Sequence, residues 1–274
     1  MPGIVVTTDV RSGPVPTGEV VSGQAFFVGV TERGNPTEPK LVRNLTEYKK
    51  YFGSYASGNL SAYAQTYFEE GGSRLYIQRT VADDAVAGTK TFVDTNGSTV
   101  ATFTAADVGA WAANLDVQIV AGNVSGIRVR VYLDDVLMLE TADVTTLDSM
   151  VSAVNLGVPH LVTVAKETGM TLIPVATAVT ALTSGADGTL VTDGTAADNH
   201  VEALAKMPKE LGPGAVAIPG IATASAYWHA LIDHAKAMDR IALCTFASSA
   251  TDTGAKTAIS GASPAIYTDT DAHY

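Results

Sequence analysis

The sequence predicts an α/β core domain, with a mixed, largely parallel sheet and helices on its faces, interrupted by an inserted β-rich (α+β) domain. Strand and helix patterns alternate in residues 23–82 and again after residue 189. Between them, strand patterns dominate around a single helix pattern. In the last third, strand, helix and strand follow at the spacing of a βαβ unit, whose strands pair in parallel. We therefore expect a core domain from residues 23–82 and 189–274 and a peripheral inserted domain from residues 83–188.

Composition argues against several classes of protein. The 274 residues include 17 basic and 28 acidic ones, and the net charge of -11 disfavours a surface for nucleic acid. The single cysteine, Cys244, excludes an internal disulfide, and its apolar surroundings IALCTF predict a buried side chain. The N-terminus lacks the pattern of a secretory signal, and no apolar run reaches the length of a membrane span. We expect a soluble chain made in the cytoplasm.

Residues 1–22 read as an extended N-terminal arm punctuated by proline and glycine. The run IVVT within it has the composition of a strand but no local partner. Such a segment is either a frayed terminus or a strand that completes the sheet of another molecule. Composition alone favours the frayed terminus.

The core domain begins with an apolar strand, Ala25 to Val30, whose β-prone residues predict a position at the centre of a sheet. A polar turn and a short strand follow. A helix should then begin at Asn44, with Glu47 three residues on, and end at Gly53.

Two more elements of the core domain precede the β-rich stretch. Residues at helical spacing predict a second helix with an aromatic stripe that faces the core: Leu60, Tyr63, Ala64, Tyr67 and Phe68. Gly71 and Gly72 end that helix, and Arg74 to Thr80 reads as a strand.

The β-rich stretch should contain about seven strands and one helix. The predicted strands are Lys90 to Asp94, Ser98 to Thr104, Leu115 to Ala121, Ile127 to Leu133, Val136 to Glu140, His160 to Ala165 and Met170 to Ala176. Asn96-Gly97 predicts a hairpin between the first two. Asp134-Asp135 reads as a polar hairpin turn, and a metal site is disfavoured there because no third ligand is near. The helix carries Leu147, Met150, Val151 and Val154 on one face.

After Asp193 the core pattern resumes. A helix with Val201 and Leu204 leads to a strand, Ala215 to Ile218. A second helix with Trp228 and Leu231 on its buried face leads to the strand Ile241 to Phe246.

The usual motifs for phosphate, nucleophile or zinc chemistry are missing, since no G-x-G-x-x-G, P-loop, G-x-S-x-G or H-E-x-x-H occurs in the expected context. Two polar clusters remain as candidates: His229, Asp233 and His234 on one helix, and Asp198, His200 and Glu202 on another. We interpret both as solvated helix faces, because neither has a companion ligand motif. We expect no catalytic, cofactor-binding or metal-binding residues, and no cofactor.

Six stretches occur in a specific order from residue 2 to residue 246: PGIVVTTDVRSGPVP, GQAFFVGVTERGNPTEPKLVRNLTEYKKYFG, AYAQTYFEEGGSRLYIQRT, GAWAANLDVQI, LTSGADG and AVAIPGIATASAYWHALIDHAKAMDRIALCTF. In this order they resemble the contractile tail sheath proteins of bacteriophages and phage-like contractile injection systems. Each stretch alone is a weak signal, and their order is what makes the resemblance specific.

The resemblance implies a structural, non-enzymatic subunit that assembles as stacked hexameric rings around a tail tube and contracts by rigid-body rearrangement of subunits. It implies as partners further copies of the chain, the tail tube protein, and baseplate and tail terminator proteins, with no nucleic acid and no membrane insertion. It implies location in the virion tail after synthesis and assembly in the bacterial host cytoplasm. The arm would donate a strand to a neighbouring subunit through Ile4, Val5, Val6, Thr7, Thr8, Asp9 and Val10.

One departure from the family pattern concerns the C-terminal end. The family continues beyond the strand Ile241 to Phe246 with further core elements and a C-terminal domain with its own arm, whereas this sequence ends at Tyr274. We interpret the chain as a fragment or a short homologue. We therefore expect that these 274 residues alone do not build contractile tubes.

Two other functions remain open from the sequence. The inserted domain (83–188) is a possible module for binding carbohydrate or a host surface, although no aromatic cluster supports this. A metal-dependent hydrolase would use His229, Asp233 and His234.

Overall fold

The computed structural model describes residues 23–54, 60–221 and 227–245. The proposed arm, including Ile4 to Val10, lies outside these residues. Within them the chain forms twelve strands and five α-helices. The strands are β1 (Gln24–Gly29), β2 (Lys40–Val42), β3 (Arg74–Arg79), β4 (Thr89–Val93), β5 (Thr99–Ala105), β6 (Leu115–Ala121), β7 (Ile127–Leu133), β8 (Val136–Glu140), β9 (Val162–Lys166), β10 (Thr177–Ala181), β11 (Ala215–Ala217) and β12 (Ile241–Ala242). The helices are α1 (Leu45–Phe52), α2 (Leu60–Glu69), α3 (Leu147–Asn155), α4 (Asn199–Ala205) and α5 (Trp228–Met238).

A five-stranded sheet with the order β12-β11-β1-β3-β2 unites the two ends of the described chain. β1 pairs in parallel with both β11 and β3, and β11 pairs in parallel with β12. β2 is antiparallel to β3 at the other edge. The sheet is therefore mixed and largely parallel, as predicted, and β1 lies at its centre.

Helices cover both faces of this sheet. On one face, Phe26 and Val28 of β1 pack with α4 and α5, including the buried Leu231, and with the buried Tyr227 that precedes α5. On the other face, Ala25 packs with α1 and α2, together with further buried residues of that cluster: Val42, Tyr48, Phe52, Leu60, Ala64, Leu75 and Ile77. Because alternate residues of β1 point to opposite hydrophobic clusters, the strand needs apolar residues at nearly every position. Burial on both faces therefore explains the continuous apolar run in the sequence of β1.

Helix α1 is bounded as the sequence predicted. The side chain of Asn44 accepts a hydrogen bond of 2.8 Å from the Glu47 N–H, and Glu47 in turn accepts one from the Arg43 N–H. Gly53 ends the helix with a φ of 85°, a conformation that glycine adopts without steric cost.

The aromatic stripe of α2 is only partly in the core. Leu60 and Ala64 are buried, and Tyr67 and Phe68 are half-buried against the same cluster. Tyr63 is 43% exposed, so the prediction that the whole stripe faces the core is wrong at this position. The helix lies at the surface of the sheet, and only part of the stripe reaches the apolar interface.

The strands between residues 89 and 181 form two further sheets. One has four strands in the order β10-β6-β7-β8, and the other has three in the order β4-β5-β9. Helix α3 packs on β9 and β7. A single hydrophobic cluster of 22 buried residues, including Phe103, Ile119 and Met150, lies within this part of the chain. The seven strands and one helix agree with the predicted α+β content.

Several predicted boundaries differ from the structure. Met170 to Ala176 is not a strand, because the strand that pairs with β6 is Thr177–Ala181. The β4–β5 hairpin is present, but its loop is longer than the two residues Asn96-Gly97, since the Asp94 N–H donates to the Ser98 carbonyl at 2.9 Å. The Asp94 carboxylate binds two loop amides and thereby fixes this longer turn. The Asp134-Asp135 turn is as predicted, with φ of 51° and 63°.

No helix within the described residues is long and apolar enough to cross a bilayer.

Candidate assembly site

In the described part of the chain, β12 lies at one edge of the five-stranded sheet and has features that suit contact with another strand. The Ile241 N–H donates to the Gly214 carbonyl and the Leu243 N–H to the Val216 carbonyl, both at 2.9 Å. In the described residues, β11 is the one strand paired with β12. The side chains of Ile241 and Leu243 are 52% and 45% exposed. An edge with apolar side chains and unpaired backbone groups can accept an added strand.

A buried arginine, Arg240, fixes the start of this edge strand. Its guanidinium donates to the carbonyls of Met207 at 3.1 Å and Gly212 at 3.3 Å and also to that of Pro208. It lies 3.8 Å from the centre of the Phe26 ring, so a central strand and the loop after α4 are joined to the edge. No carboxylate of the described chain forms an ion pair with Arg240, and its charge is stabilised by carbonyl dipoles and an aromatic face.

Burial and the neighbouring Arg240 together set the protonation of His234. The two side chains are 2.9 Å apart, from Nη1 to Nε2. Burial and the positive charge of Arg240 lower the pKa of His234 to about 4. Burial lowers the pKa of Arg240 to about 10, partly opposed by Tyr76. At neutral pH Arg240 is therefore charged, and His234 is neutral and accepts its hydrogen bond.

A second buried polar group joins α4 to the residue before α5. The Asp198 carboxylate accepts hydrogen bonds from the Tyr227 hydroxyl at 2.7 Å and from the N–H groups of Gly194 and His200. Burial alone would raise the pKa of Asp198, but these donors and the nearby His200 outweigh it, so the pKa is lowered. Burial also lowers the pKa of His200, although Asp198 opposes this shift. The group caps α4 and holds it against α5.

A third buried polar group, around Arg79, connects the five-stranded sheet to the β-rich part. Arg79 ends β3 and donates to the Gly34 carbonyl at 3.0 Å and the Val108 carbonyl at 2.9 Å. The Gly34 N–H donates to the Asp107 carboxylate at 3.0 Å, so both backbone groups of Gly34 are engaged. Burial lowers the pKa of Arg79, partly opposed by Asp107 and Asp187. Nearby, Val86 and Ala186 form an antiparallel bridge between the two connecting segments.

The polar residues singled out from the sequence do not form a reaction centre. On α5, His229 is half-buried, Asp233 is exposed and His234 is buried, so the three side chains do not converge. The prediction of a solvated face is wrong for His234, because it turns inward to Arg240. It is wrong also for Asp198 and His200, which are buried, whereas Glu202 is exposed as expected. Among the described residues, no group of three potential ligands is positioned to hold a metal ion.

Cys244 is half-buried, where the sequence predicted a buried side chain. Burial raises the pKa of its thiol to about 11, which keeps the thiol protonated at neutral pH. No sequence motif marks Arg79, Arg240 or Tyr227 as a functional residue. The position of each arginine is a signal, because Arg79 is the last residue of β3 and Arg240 directly precedes β12.

A split α/β sheet with helices on both faces and a β-rich part between its halves defines the class of fold. No protein-family model and no curated protein matches the sequence. Among solved structures, the chain is similar to the sheath tail protein of Listeria innocua, with a TM-score of 0.60 and 16% identity. It is also similar to the sheath tail protein of Desulfitobacterium hafniense, with a TM-score of 0.54 and 17% identity.

These similarities extend over 79% and 86% of this chain, respectively. The chain spans only 44% and 50% of the lengths of the two proteins. At this level of identity the similarity shows the fold. The chain has the fold of tail sheath proteins, and the resemblance seen in the sequence is confirmed at that level.

Proposed function

We propose that this protein is a structural subunit of a contractile tail sheath. In this role it assembles as stacked hexameric rings around a tail tube and contracts by rigid-body rearrangement of subunits, which drives the tube through a target envelope. The observation that carries the proposal is the fold shared with two sheath tail proteins over more than three quarters of the chain. The order of the sequence motifs supports the same assignment.

In this proposal the chain has three parts. Residues 1–22 are an arm, residues 23–82 and 189–274 form the split core, and residues 83–188 form a peripheral inserted domain. The separate hydrophobic clusters of the two sheet regions support this division. The hydrogen bond from Arg79 to the Val108 carbonyl joins the core to the inserted domain, and the Val86–Ala186 bridge pairs the two ends of that domain.

The arm residues Ile4 to Val10 would add a strand to the sheet of a neighbouring subunit. Among the described residues β12 pairs with β11 alone, and this edge supports strand exchange as a mode of assembly, since a donated strand supplies main-chain hydrogen bonds along the edge. Contraction then moves whole subunits while the donated strands keep them connected. The energy comes from a metastable extended assembly, so this role needs no enzymatic activity and no cofactor.

The further partners in this proposal are the tail tube protein at the inner surface and the baseplate and tail terminator proteins at the two ends. The protein would be located in the virion tail after assembly in the host cytoplasm. Neither nucleic acid binding nor membrane insertion is part of this role.

Negative-stain electron microscopy of the complete gene product, with and without residues 1–22, tests this proposal. We expect rings or tubes with six-fold symmetry from the wild type, and only small species when the arm is deleted. A matched control replaces Val5 and Val10 with other β-prone residues, which should preserve assembly. Rings that are unchanged by the deletion would refute the role of the arm, and a persistent monomer in all samples would refute the sheath assignment.

A further inference from the structure

Charge is distributed unevenly along the chain. Residues 83–188 contain twelve acidic and four basic residues, whereas residues 33–50 contain five basic and two acidic ones. In a chain with a net charge of -11, this short basic stretch stands out. A local positive surface on an acidic protein is suited to an acidic protein surface, because long polyanions are repelled by the rest of the molecule.

The basic stretch forms a defined surface at the β2 edge of the sheet. The Nζ atoms of Lys40 and Lys50 lie 4.5 and 5.5 Å from the centre of the Tyr51 ring, which is 37% exposed. We call Lys40, Lys50 and Tyr51 the basic ledge. Lys49, the residue before Lys50, is exposed as well. In the described part of the chain, none of these lysines forms an ion pair with a carboxylate.

The tip of the β7–β8 hairpin has the complementary chemistry. Asp134 and Asp135 form its turn, and both are exposed with positive φ. The next three residues are exposed and apolar: Val136 is 59%, Leu137 is 44% and Met138 is 37% exposed. We call residues 134–138 the hairpin tip. Exposed apolar side chains on an edge strand are typical of an interaction surface.

The acidic turn is also free to pair with another molecule. Arg128 and Arg130 of β7 bind Glu140, and Arg128 also faces Asp143. No ion pair to Asp134 or Asp135 occurs among the described residues. The hairpin tip thus presents two carboxylates beside apolar side chains, and the basic ledge presents two ammonium groups on an aromatic ring.

We propose that the hairpin tip of one copy of this chain docks on the basic ledge of the next copy. The contact joins two different surfaces, so it is heterologous and adds subunits in rings or stacks instead of closing a two-fold dimer. This inference deepens the proposed sheath role and rests on the self-assembly in that proposal. The exposed charges set orientation and salt dependence, and the apolar and aromatic groups add buried area.

Sedimentation velocity of the full chain at about 0.05 M and about 0.5 M salt tests this contact. We expect concentration-dependent association at low salt that weakens about tenfold at high salt. The variant Lys40→Glu/Lys50→Glu and the variant Asp134→Asn/Asp135→Asn/Val136→Lys should each lose this association at low salt. Asparagine is chosen because it tolerates the positive φ of the turn. Glu70→Gln/Glu202→Gln, which alters two exposed carboxylates elsewhere, should behave as wild type.

Mixing the two variants gives the decisive result. In the mixture, the unchanged tip of the first variant meets the unchanged ledge of the second, and the glutamates of the altered ledge meet the lysine of the altered tip. We therefore expect the mixture to associate although neither variant does so alone. If the mixture associates no more strongly than either variant alone, the proposed contact is wrong. It is also wrong if the wild type shows no salt-dependent association. Rings that still form in microscopy with either variant would reject this contact while leaving the sheath proposal intact.

Discussion

The two sheet regions of the molecule are stabilised by different kinds of interaction. The β-rich part has a single cluster of 22 buried apolar residues, and its ion pairs, such as Arg128–Glu140 and Lys166–Asp148, lie at the surface. The five-stranded sheet has smaller clusters on each face and relies in addition on buried polar groups around Arg79, Asp198 and Arg240. Apolar burial therefore holds the first region, whereas specific hydrogen bonds position the edges and junctions of the second.

Truncation of the Phe103 side chain should have the largest effect on the free energy of unfolding. This fully buried residue of β5 contacts Phe92 edge-to-face, with ring centres 4.9 Å apart. We expect Phe103→Ala to lower the free energy of unfolding of the β-rich part by about 3–5 kcal/mol. Hydrogen exchange should show faster exchange in β5, β6 and β7, with β1 and β3 unchanged. Equal loss of protection in both regions would contradict the proposal that they are stabilised differently. Leu137→Ala, at an exposed position, serves as the control.

Substitution of Arg240 should affect the other region. Arg240→Met keeps much of the volume but removes the guanidinium donor from the carbonyls of Met207, Pro208 and Gly212, together with the contact to Phe26. We expect a loss of about 2–4 kcal/mol, confined in hydrogen exchange to β1, β11 and α5. Lys209→Met is the matched control, because its ion pair with Asp239 is exposed and should contribute less than about 1 kcal/mol. A similar effect of both variants would contradict the assigned role of Arg240.

Acid should destabilise the five-stranded sheet first, and His234 is one reason. The pKa of His234 is lowered in the folded state, so folding favours the neutral imidazole. The contribution of His234 to the stability of the folded protein is therefore complete above the pKa that it has in the unfolded chain. That stabilisation is lost as the pH falls from about 6.5 towards about 4. His200, whose pKa is also lowered, contributes in the same direction.

His234→Gln should therefore flatten the decline of stability between these pH values by about 2 kcal/mol without abolishing it. Urea unfolding at a series of pH values measures this difference. An unchanged pH profile would show that His234 is not protonated on unfolding in this range.

The smallest effect is expected for the surface ion pairs of the β-rich part. Glu140 accepts from Arg128 at 2.6 Å and from Arg130 at 3.1 Å, but all three side chains are partly exposed. Glu140→Gln should lower the free energy of unfolding by about 0.5–1 kcal/mol, and less at high salt. A loss as large as that of Arg240→Met would mean that charge contributes equally to both regions.

The sequence predicted the apolar elements well because their periodicity has a direct physical cause. The strand at residues 24–29 needs apolar groups on both faces, and the cap at Asn44 is a local hydrogen bond, so both were visible without tertiary information. The β6, β7 and β8 boundaries were predicted for the same reason, since alternation and the Asp134-Asp135 turn are local signals.

Long-range contacts account for what the sequence did not reveal. His234 and Asp198 looked like exposed helix residues, and only their partners Arg240 and Tyr227 explain why they are buried. The strand at 177–181 was missed because pairing with β6, and not its own weak pattern, decides its position. The basic ledge joins Lys40 of β2 to Lys50 and Tyr51 of α1, which are ten residues apart in sequence.

The sheath role is tested most directly by the mass of the assembled particle. Mass photometry of the complete gene product over a range of concentrations would count the subunits in each species. The proposed role predicts hexamers and stacks of hexamers in the wild type, and their loss when residues 1–22 are deleted. A single-subunit mass at every concentration, or dimers alone, would contradict it.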